Sequence, residues 1–290
     1  MPFLKIEKLT KCFPGSNGTG DLCVFRDVHF YIENGEFVTM VGHSGCGKTT
    51  LLNIIAGFEA ATEGGIILDG KEVTDPGLDR MVVFQNFSLM PWMTAYENIR
   101  IAVRAAYPQW DRQHIDEYVR QYIDMVGLTG AGHKRPAALS GGMRQRVGLA
   151  RAFAVQPKVL LLDEPFAQID ALTRGTIQEE LIRMWMATRN TVFMVTHDVD
   201  EAILLSDRIA LMTNGPNARL AELVEVKIPR PRSREAIIDD PEYTRIRRYV
   251  IHFLVERSKK IQEQGGMGDK ALTGSGELAD GKSIQLQGGN

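Results

Sequence analysis

The feature that most restricts the fold of this 290-residue chain is a junction. An apolar run, Phe37 to Val41, passes straight into Gly42, His43, Ser44, Gly45, Cys46, Gly47, Lys48 and Thr49, after which Thr50, Leu51, Leu52 and Ile55 start a helical period. A strand and a helix joined through three glycines in six residues require a tight turn whose backbone N–H groups converge. Such a turn cradles phosphate. The N–H groups and the helix N-terminus carry partial positive charge, Lys48 neutralises outer phosphates, and the Thr49 hydroxyl is a Mg²⁺ ligand type. The plain alternative is a glycine turn that happens to precede Lys and Thr, and the flanking strand and helix weigh against it. The pattern predicts nucleotide binding.

Other strand-like runs cover Leu4 to Leu9, Val24 to Ile32, Glu36 to Val41 and Gly65 to Leu68, the last closed by an Asp69-Gly70 turn, with a helix expected from Thr49 to Ala56. Met81 to Gln85 reads as a buried strand. From Thr94 to about Thr129 the period changes: Ile115, Tyr118, Val119, Tyr122, Ile123 and Val126 recur at helical spacing up to Gly127, which predicts an inserted helical subdomain over about 94–155. Aliphatic runs return at Val159 to Leu162, Thr191 to Val195 and Arg208 to Met212 with helical patterns between them. Uninterrupted aliphatic strands alternating with helices predict an α/β body around a parallel sheet.

With 44% hydrophobic and 24% charged residues the chain can bury a core. Its net charge of −2 weighs against bulk nucleic-acid binding, which needs a surplus of Lys and Arg. The N-terminus lacks the layout of a signal peptide, and no apolar stretch approaches the roughly 18–20 residues of a membrane helix. Three cysteines, Cys12, Cys23 and Cys46, form an odd set without framework spacing and read as reduced thiols. Cys46 beside Lys48 has two readings, a thiol with thiolate character or a small packing residue. Past Val226 a basic linker carries Arg230, Arg232 and Arg234, followed by an expected helix from Tyr243 to Arg257 with Arg245, Arg247 and Arg248. These arginines either dock on anionic lipid or partner carboxylates, or simply keep a surface solvated. The expected division is 1–225 as a nucleotide-binding domain, 226–258 as linker and C-terminal helix, and 259–290 as a glycine-rich disordered tail.

A second half-site follows from Val159 to Leu162, which ends in Asp163 and Glu164 and so delivers two carboxylates at a strand C-terminus. Asp163 is placed to serve a Mg²⁺ shell and Glu164 to orient and deprotonate an attacking water. The segment Leu139, Ser140, Gly141, Gly142, Met143, Arg144, Gln145, Arg146, with Ser140 23 residues before Asp163, resembles the signature motif of the ATP-binding cassette (ABC) superfamily. Ser140 and the N–H groups of Gly141 and Gly142 would cap a helix running to about Phe153, and such an end can receive a γ-phosphate. The resemblance implies a P-loop NTPase (RecA-like) core with a parallel sheet, an antiparallel β subdomain and an inserted α-helical signature subdomain. It implies the remaining roles too. Gln85 matches the Q-loop glutamine that touches Mg²⁺ and water, His197 the switch histidine at the γ-phosphate, and Asp170 the aspartate that crosses to an opposing cassette. Phe13 is the candidate to stack on adenine, with a core role as the other reading. The resemblance covers about residues 3 to 258, and departs from the family pattern at Met143 and at Gln168-Ile169.

In that family each ATP lies between the phosphate loop of one cassette and the signature of another, so the chain is expected to pair, with a longer, different cassette or with itself. Downstream of Gln85, Phe87, Leu89, Met90 and Trp92 cluster around Pro91. They form either a groove for a membrane subunit or internal packing. This stretch and the later Lys227 to Arg232 resemble importer cassettes for nitrate, bicarbonate, sulfonates and taurine, and Asp163 to Asp170 resembles the small cassette of cyanobacterial nitrate and bicarbonate importers. What this implies is an ATPase coupled to transport, peripheral on the cytoplasmic face of the inner membrane, with two permease subunits and, indirectly, a solute-binding protein that selects the anion. A soluble cassette ATPase and a non-hydrolytic regulatory cassette are the competing classes. Soluble members carry two cassettes or long coiled-coil insertions, which this chain lacks, and intact Lys48, Asp163, Glu164 and His197 oppose the non-hydrolytic class.

Overall fold

The computed structural model describes residues 2–14 and 21–257. The expected disordered tail at 259–290 lies outside the described residues. In chain order the elements are β1 (Leu4–Phe13), β2 (Leu22–Ile32), β3 (Phe37–Val41), α1 (Lys48–Ala56), β4 (Glu63–Leu68), β5 (Lys71–Glu72), β6 (Arg80–Val83), α2 (Ala95–Ala106), α3 (Arg112–Met125), α4 (Gly141–Ala154), β7 (Val159–Asp163), α5 (Ala171–Thr188), β8 (Thr191–Thr196), α6 (Val199–Leu205), β9 (Arg208–Met212), β10 (Leu220–Glu225), α7 (Arg234–Ile238) and α8 (Pro241–His252). They divide into two units, Met1–Pro76 with Phe193–Asn290, and Gly77–Val192.

The first unit holds an antiparallel sheet in the order β2-β1-β4-β5. Leu4 pairs with Ile32 on one side and Leu68 on the other, and all three side chains are buried while Lys5 lies outward, the period-2 alternation of a sheet with one covered face. The same register sets Cys12 opposite Cys23, and the two form a disulfide with Cα atoms 3.8 Å apart. This corrects the expectation of three reduced thiols. Spacing in the chain did not show the pair because the β1–β2 register creates it.

The second sheet of this unit reads β10-β9-β3-β8. β3 and β9 run parallel, with Val38 beside Arg208 and Val41 beside Leu211, and every residue of both strands is buried. Parallel strands covered on both faces have no solvent side, hence their unbroken apolar sequences. β10 runs antiparallel to β9, an edge strand that the all-parallel reading lacked.

The basic linker is also different from either reading. Arg232 is buried, and its guanidinium donates to the carbonyls of Ile228, Ile203, Ser206 and Val226 at 2.6–3.0 Å. Burial pulls its pKa down to about 10, which still leaves it charged at neutral pH. Arg230 donates to Asp207 and the Leu205 carbonyl, and Arg247 to Asp200. Arg230 and Arg232 staple this chain to itself because loose carbonyls at the C-terminal end of α6 and just after β10 need donors.

The second unit pairs β6 with β7 in parallel, Val83 beside Leu162, and adds four helices. Each starts on a side-chain cap that the sequence carries: Thr94 in a reciprocal capping box with Glu97, then Asp111, Ser140 and Asp170. Among the described residues no helix is long and apolar enough to cross a membrane.

Candidate functional site

In the first unit the chain leaves β3 into the phosphate loop and enters α1 at Lys48. Gly47 is the N-cap, with φ of 95°, and no side chain caps the first turn, which also lacks acidic residues. Any Cβ at Gly47 would sit 2.5 Å from Val24 Cγ1, so conformation and space both demand glycine. The uncapped turn presents N–H groups and the positive helix end outward. Lys48 is only 5% exposed, and its Nζ donates to the Gly42 carbonyl at 2.7 Å and the His43 carbonyl at 3.0 Å. Two carbonyls hold the ammonium inside the loop. His43, Ser44, Gly45 and Thr49 are exposed, and Thr50 is half-buried.

Cys46 is buried, and burial raises its thiol pKa more than the neighbouring Lys48 charge lowers it. It is a packing residue, which sets the thiolate reading aside. Phe13 stands at the end of β1, 39% exposed, with Lys11 Nζ 4.7 Å from its ring centre. That exposure excludes a core role. His197 is exposed directly after β8, whose six residues are all buried.

In the second unit β7 is entirely buried and ends at Asp163. Glu164 follows with φ of 43°, a left-handed backbone that a non-glycine residue adopts at a cost of about 1–3 kcal/mol and that gathers at working sites. The turn closes where Ala167 N–H donates to the Glu164 carbonyl at 3.2 Å. Asp170 then caps α5, accepting from Thr173 N–H at 2.9 Å, and this bond holds its carboxyl below the usual range.

The signature lies against this turn. Ser140 accepts from Met143 N–H at 3.3 Å and starts α4. A Cβ on Gly141 would come 3.2 Å from the Gln168 carbonyl oxygen, and one on Gly142 2.6 Å from Thr173 Cγ2. The two glycines let the starts of α4 and α5 touch. Thus Ser140, Gly141, Gly142 and Asp170 share one end of this unit.

Gln85 is exposed in a turn two residues beyond β6, which ends at Val83 and is shorter than the expected Met81–Gln85 strand. What positions this turn escaped sequence reasoning. Arg151 on α4 donates to the carbonyls of Ser88 at 2.8 Å and Phe87 at 3.1 Å, where both residues have positive φ. Fully buried Asn98 accepts from Met90 N–H at 2.7 Å and donates to the carbonyls of Met90, Met93 and Thr94. The signal was present in an Asn placed on the buried stripe of α2, where a polar side chain needs a task. Of the four apolar residues expected to act together, Phe87 is buried and Leu89 half-buried, whereas Met90 and Trp92 are exposed, Trp92 by 65%. Phe87 belongs to packing, and only the other end of the cluster faces outward.

A family profile described as ABC transporter matches residues 25–167. Nitrate import ATP-binding protein NrtD of Synechococcus elongatus is 48% identical over 255 residues, 88% of this chain and 92% of that one. Bicarbonate transport ATP-binding protein CmpD of the same organism is 48% identical over 256 residues, covering 88% and 91%. Nitrate import ATP-binding protein NrtC of Synechocystis is 48% identical too, but this chain spans only 39% of it. Among solved structures, a dimeric post-hydrolysis ATP-binding cassette bound to ADP and Pi superposes with a TM-score of 0.68 at 29% identity, over 78% of this chain and all of that one. The chain belongs to the ABC transporter family. It is an α/β ATP-binding cassette, the ATP-hydrolysing part of such a transporter.

Proposed function

We propose that this cassette drives a multi-subunit importer for a small inorganic anion, nitrate or nitrite in the first place and bicarbonate, or a sulfonate such as taurine, as the alternative. The names and near-full coverage of the nitrate and bicarbonate relatives support that substrate class. The observation that carries a transport role is the segment after Gln85: Met90 and Trp92 stand exposed on a loop that Arg151 and Asn98 hold in place, an apolar patch fit for a helix of a membrane subunit. Two permease subunits would dock there, keeping the chain peripheral on the cytoplasmic face of the inner membrane, with a solute-binding protein acting at one remove.

Phe13 stacks on adenine in this reading. The loop from Gly42 to Thr50 wraps the phosphates, with Lys48 neutralising the outer two. Glu164 orients and deprotonates the attacking water, and His197 contacts the γ-phosphate. Mg²⁺ takes hard oxygen donors, and the Thr49 hydroxyl, the Gln85 amide oxygen and the Asp163 carboxylate are of that type. Among the described residues no cluster of three His, Cys, Asp or Glu groups could hold a metal unaided, as befits an ion that retains water and phosphate in its shell. When bound, Mg²⁺ neutralises charge on the β- and γ-phosphates.

Ser140, Gly141, Gly142 and Asp170 face a second cassette, either a longer relative or another copy. Leu172, next but one to Asp170, is 92% exposed, and an aliphatic side chain so placed supports burial against a partner. Purification through a tag on this chain from native membranes tests the proposal, with every co-purifying protein identified. Integral membrane subunits and a second cassette are the expected companions. Glu164→Gln is expected to lower ATP turnover by at least about a hundredfold while trapping ATP in a closed cassette pair. Recovery without membrane proteins, or undiminished turnover in Glu164→Gln, overturns the reading.

A further inference from the structure

The C-terminal helix touches both nucleotide segments of its unit. The turn that carries His197 is tightly bound: Asp198 N–H donates to Thr196 Oγ1 at 3.0 Å, Thr196 Oγ1 donates to buried Glu201 at 2.9 Å, and Asp198 caps α6 through the N–H groups of Asp200 and Glu201. Asp200, three residues after His197, keeps its side chain about half exposed. It accepts from Tyr243 Oη at 2.9 Å and Arg247 Nε at 2.7 Å, two residues one turn apart on α8. At the other end of the same element, past His252, the Leu254 carbonyl accepts from His43 Nε2 at 2.8 Å, and His43 belongs to the phosphate loop.

We propose that α8 and the turn after it form a strap across the ATP site, in which Tyr243 and Arg247 are positioning residues that act through Asp200 on the His197 turn, while the Leu254 carbonyl holds the phosphate loop at His43. The proposal rests on the assignment of His197 and the phosphate loop to ATP and deepens it. The strap is stiff enough for the task. Ile246, Val250 and Phe253 are fully buried along it, and Tyr249 bonds Glu222 on β10, so its position is set by the core. From Tyr243 to Leu254 a helix rises about 16 Å, which places the two contacts at opposite ends of one rod.

Stability does not explain these contacts. Asp200 and Arg247 are each 47% exposed at the side chain, and exposed ion pairs add little to a fold. Asp200, Tyr243 and Arg247 also line an open groove of about 630 Å³ with Ile238, Ile251 and Val255, so trimming their polar ends leaves no buried hole. Their value is geometric, since a reacting group displaced by about 1 Å can lose a large part of its rate.

The test measures ATP hydrolysis and melting temperature for the full chain in complex with the subunits that co-purify with it. Tyr243→Phe, Arg247→Gln and Asp200→Asn are each expected to lower kcat by about threefold to tenfold with KM for ATP changed less than about twofold, and Tyr243→Phe combined with Asp200→Asn is expected to lose no more than Asp200→Asn alone. Arg247→Lys keeps the charge and should recover most of the rate. At the far end, His43→Phe should raise KM for ATP severalfold, and His43→Gln, which retains an N–H donor for the Leu254 carbonyl, should raise it distinctly less. His197→Ala separates the two layers. If it leaves kcat unchanged, the assignment of His197 fails and the strap's catalytic role falls with it. If it removes at least about a hundredfold while the α8 variants behave like the parent, or lose rate only in step with melting temperature, the strap alone is refuted.

Discussion

Two helices in this chain begin on glycine-rich motifs read as phosphate receivers, α1 after the phosphate loop and α4 after the signature, and they are built differently. α1 starts on a left-handed glycine with no side-chain cap, and its lysine folds back onto loop carbonyls. α4 starts on Ser140, which satisfies one of its own N–H groups, and its glycines are there because Thr173 and the Gln168 carbonyl press against them. In the first motif Gly47 supplies a left-handed conformation together with closeness, and in the second the glycines supply closeness alone. The phosphate loop is therefore shaped entirely within its own unit, whereas the signature is one edge of a packed surface that includes the cap of α5.

Removing Lys48 should divide the two most sharply. Lys48→Ala is expected to cost at least about a hundredfold in kcat for ATP hydrolysis, far beyond the fall in melting temperature from the two loop carbonyls left without their donor, because the charge proposed to neutralise phosphate disappears. Activity within tenfold of the parent would break the assignment of the loop. The opposite profile is expected of Gly142→Ala, whose new methyl would meet Thr173 Cγ2 at 2.6 Å. Overpacking of this kind costs about 1–3 kcal/mol, to be seen as a fall of several degrees in melting temperature with ATP affinity of the single chain retained. A thermal profile equal to the parent would show that α4 and α5 have slack between them.

The smallest effect concerns the cap of α5. Asp170 has its carboxyl held below its usual range, chiefly by the Thr173 backbone N–H. A depressed folded pKa contributes stability that is present above the unfolded value of about 3.9 and is lost as pH falls through the folded value. Asp170→Asn should therefore melt slightly below the parent at about pH 6, and the gap should narrow as pH falls below about 3.9. A gap that is constant across this range would mean the carboxylate charge plays no part in the cap.

Much of the fold was legible because its signals are local. The buried strands β3, β7, β8 and β9 announce themselves as aliphatic runs, and the caps at Thr94, Asp111, Ser140 and Asp170 sit just ahead of helical periods. The phosphate loop could be read residue by residue, since its chemistry lies in eight consecutive positions. Short or edge elements were not legible: β5 and α7 are too brief to show a period, and the edge strand β10 carries Glu222 and Glu225 in place of an unbroken aliphatic run. Nor were features that arise when distant segments meet, such as Cys12 opposite Cys23, or Arg232 buried among four carbonyls. A basic linker looks solvated until its carbonyl partners are known.

The order of motifs and the residue types within them determined, from the sequence alone, that this chain is an α/β ATP-binding cassette with carboxylates at a strand end and glycines at two helix starts. Local chemistry suffices for the turns, caps and buried strands, which neighbours a few residues apart specify, and the cassette itself followed from the resemblance of the ordered motifs to the ABC superfamily. Only the tertiary structure decided which glycines serve contact alone, that Phe87 packs inward while Trp92 faces outward, and that α8 and the turn after it reach both His43 and the His197 turn. Those outcomes depend on the register and packing of segments as much as 211 residues apart, and distance in space is not written in distance along the chain.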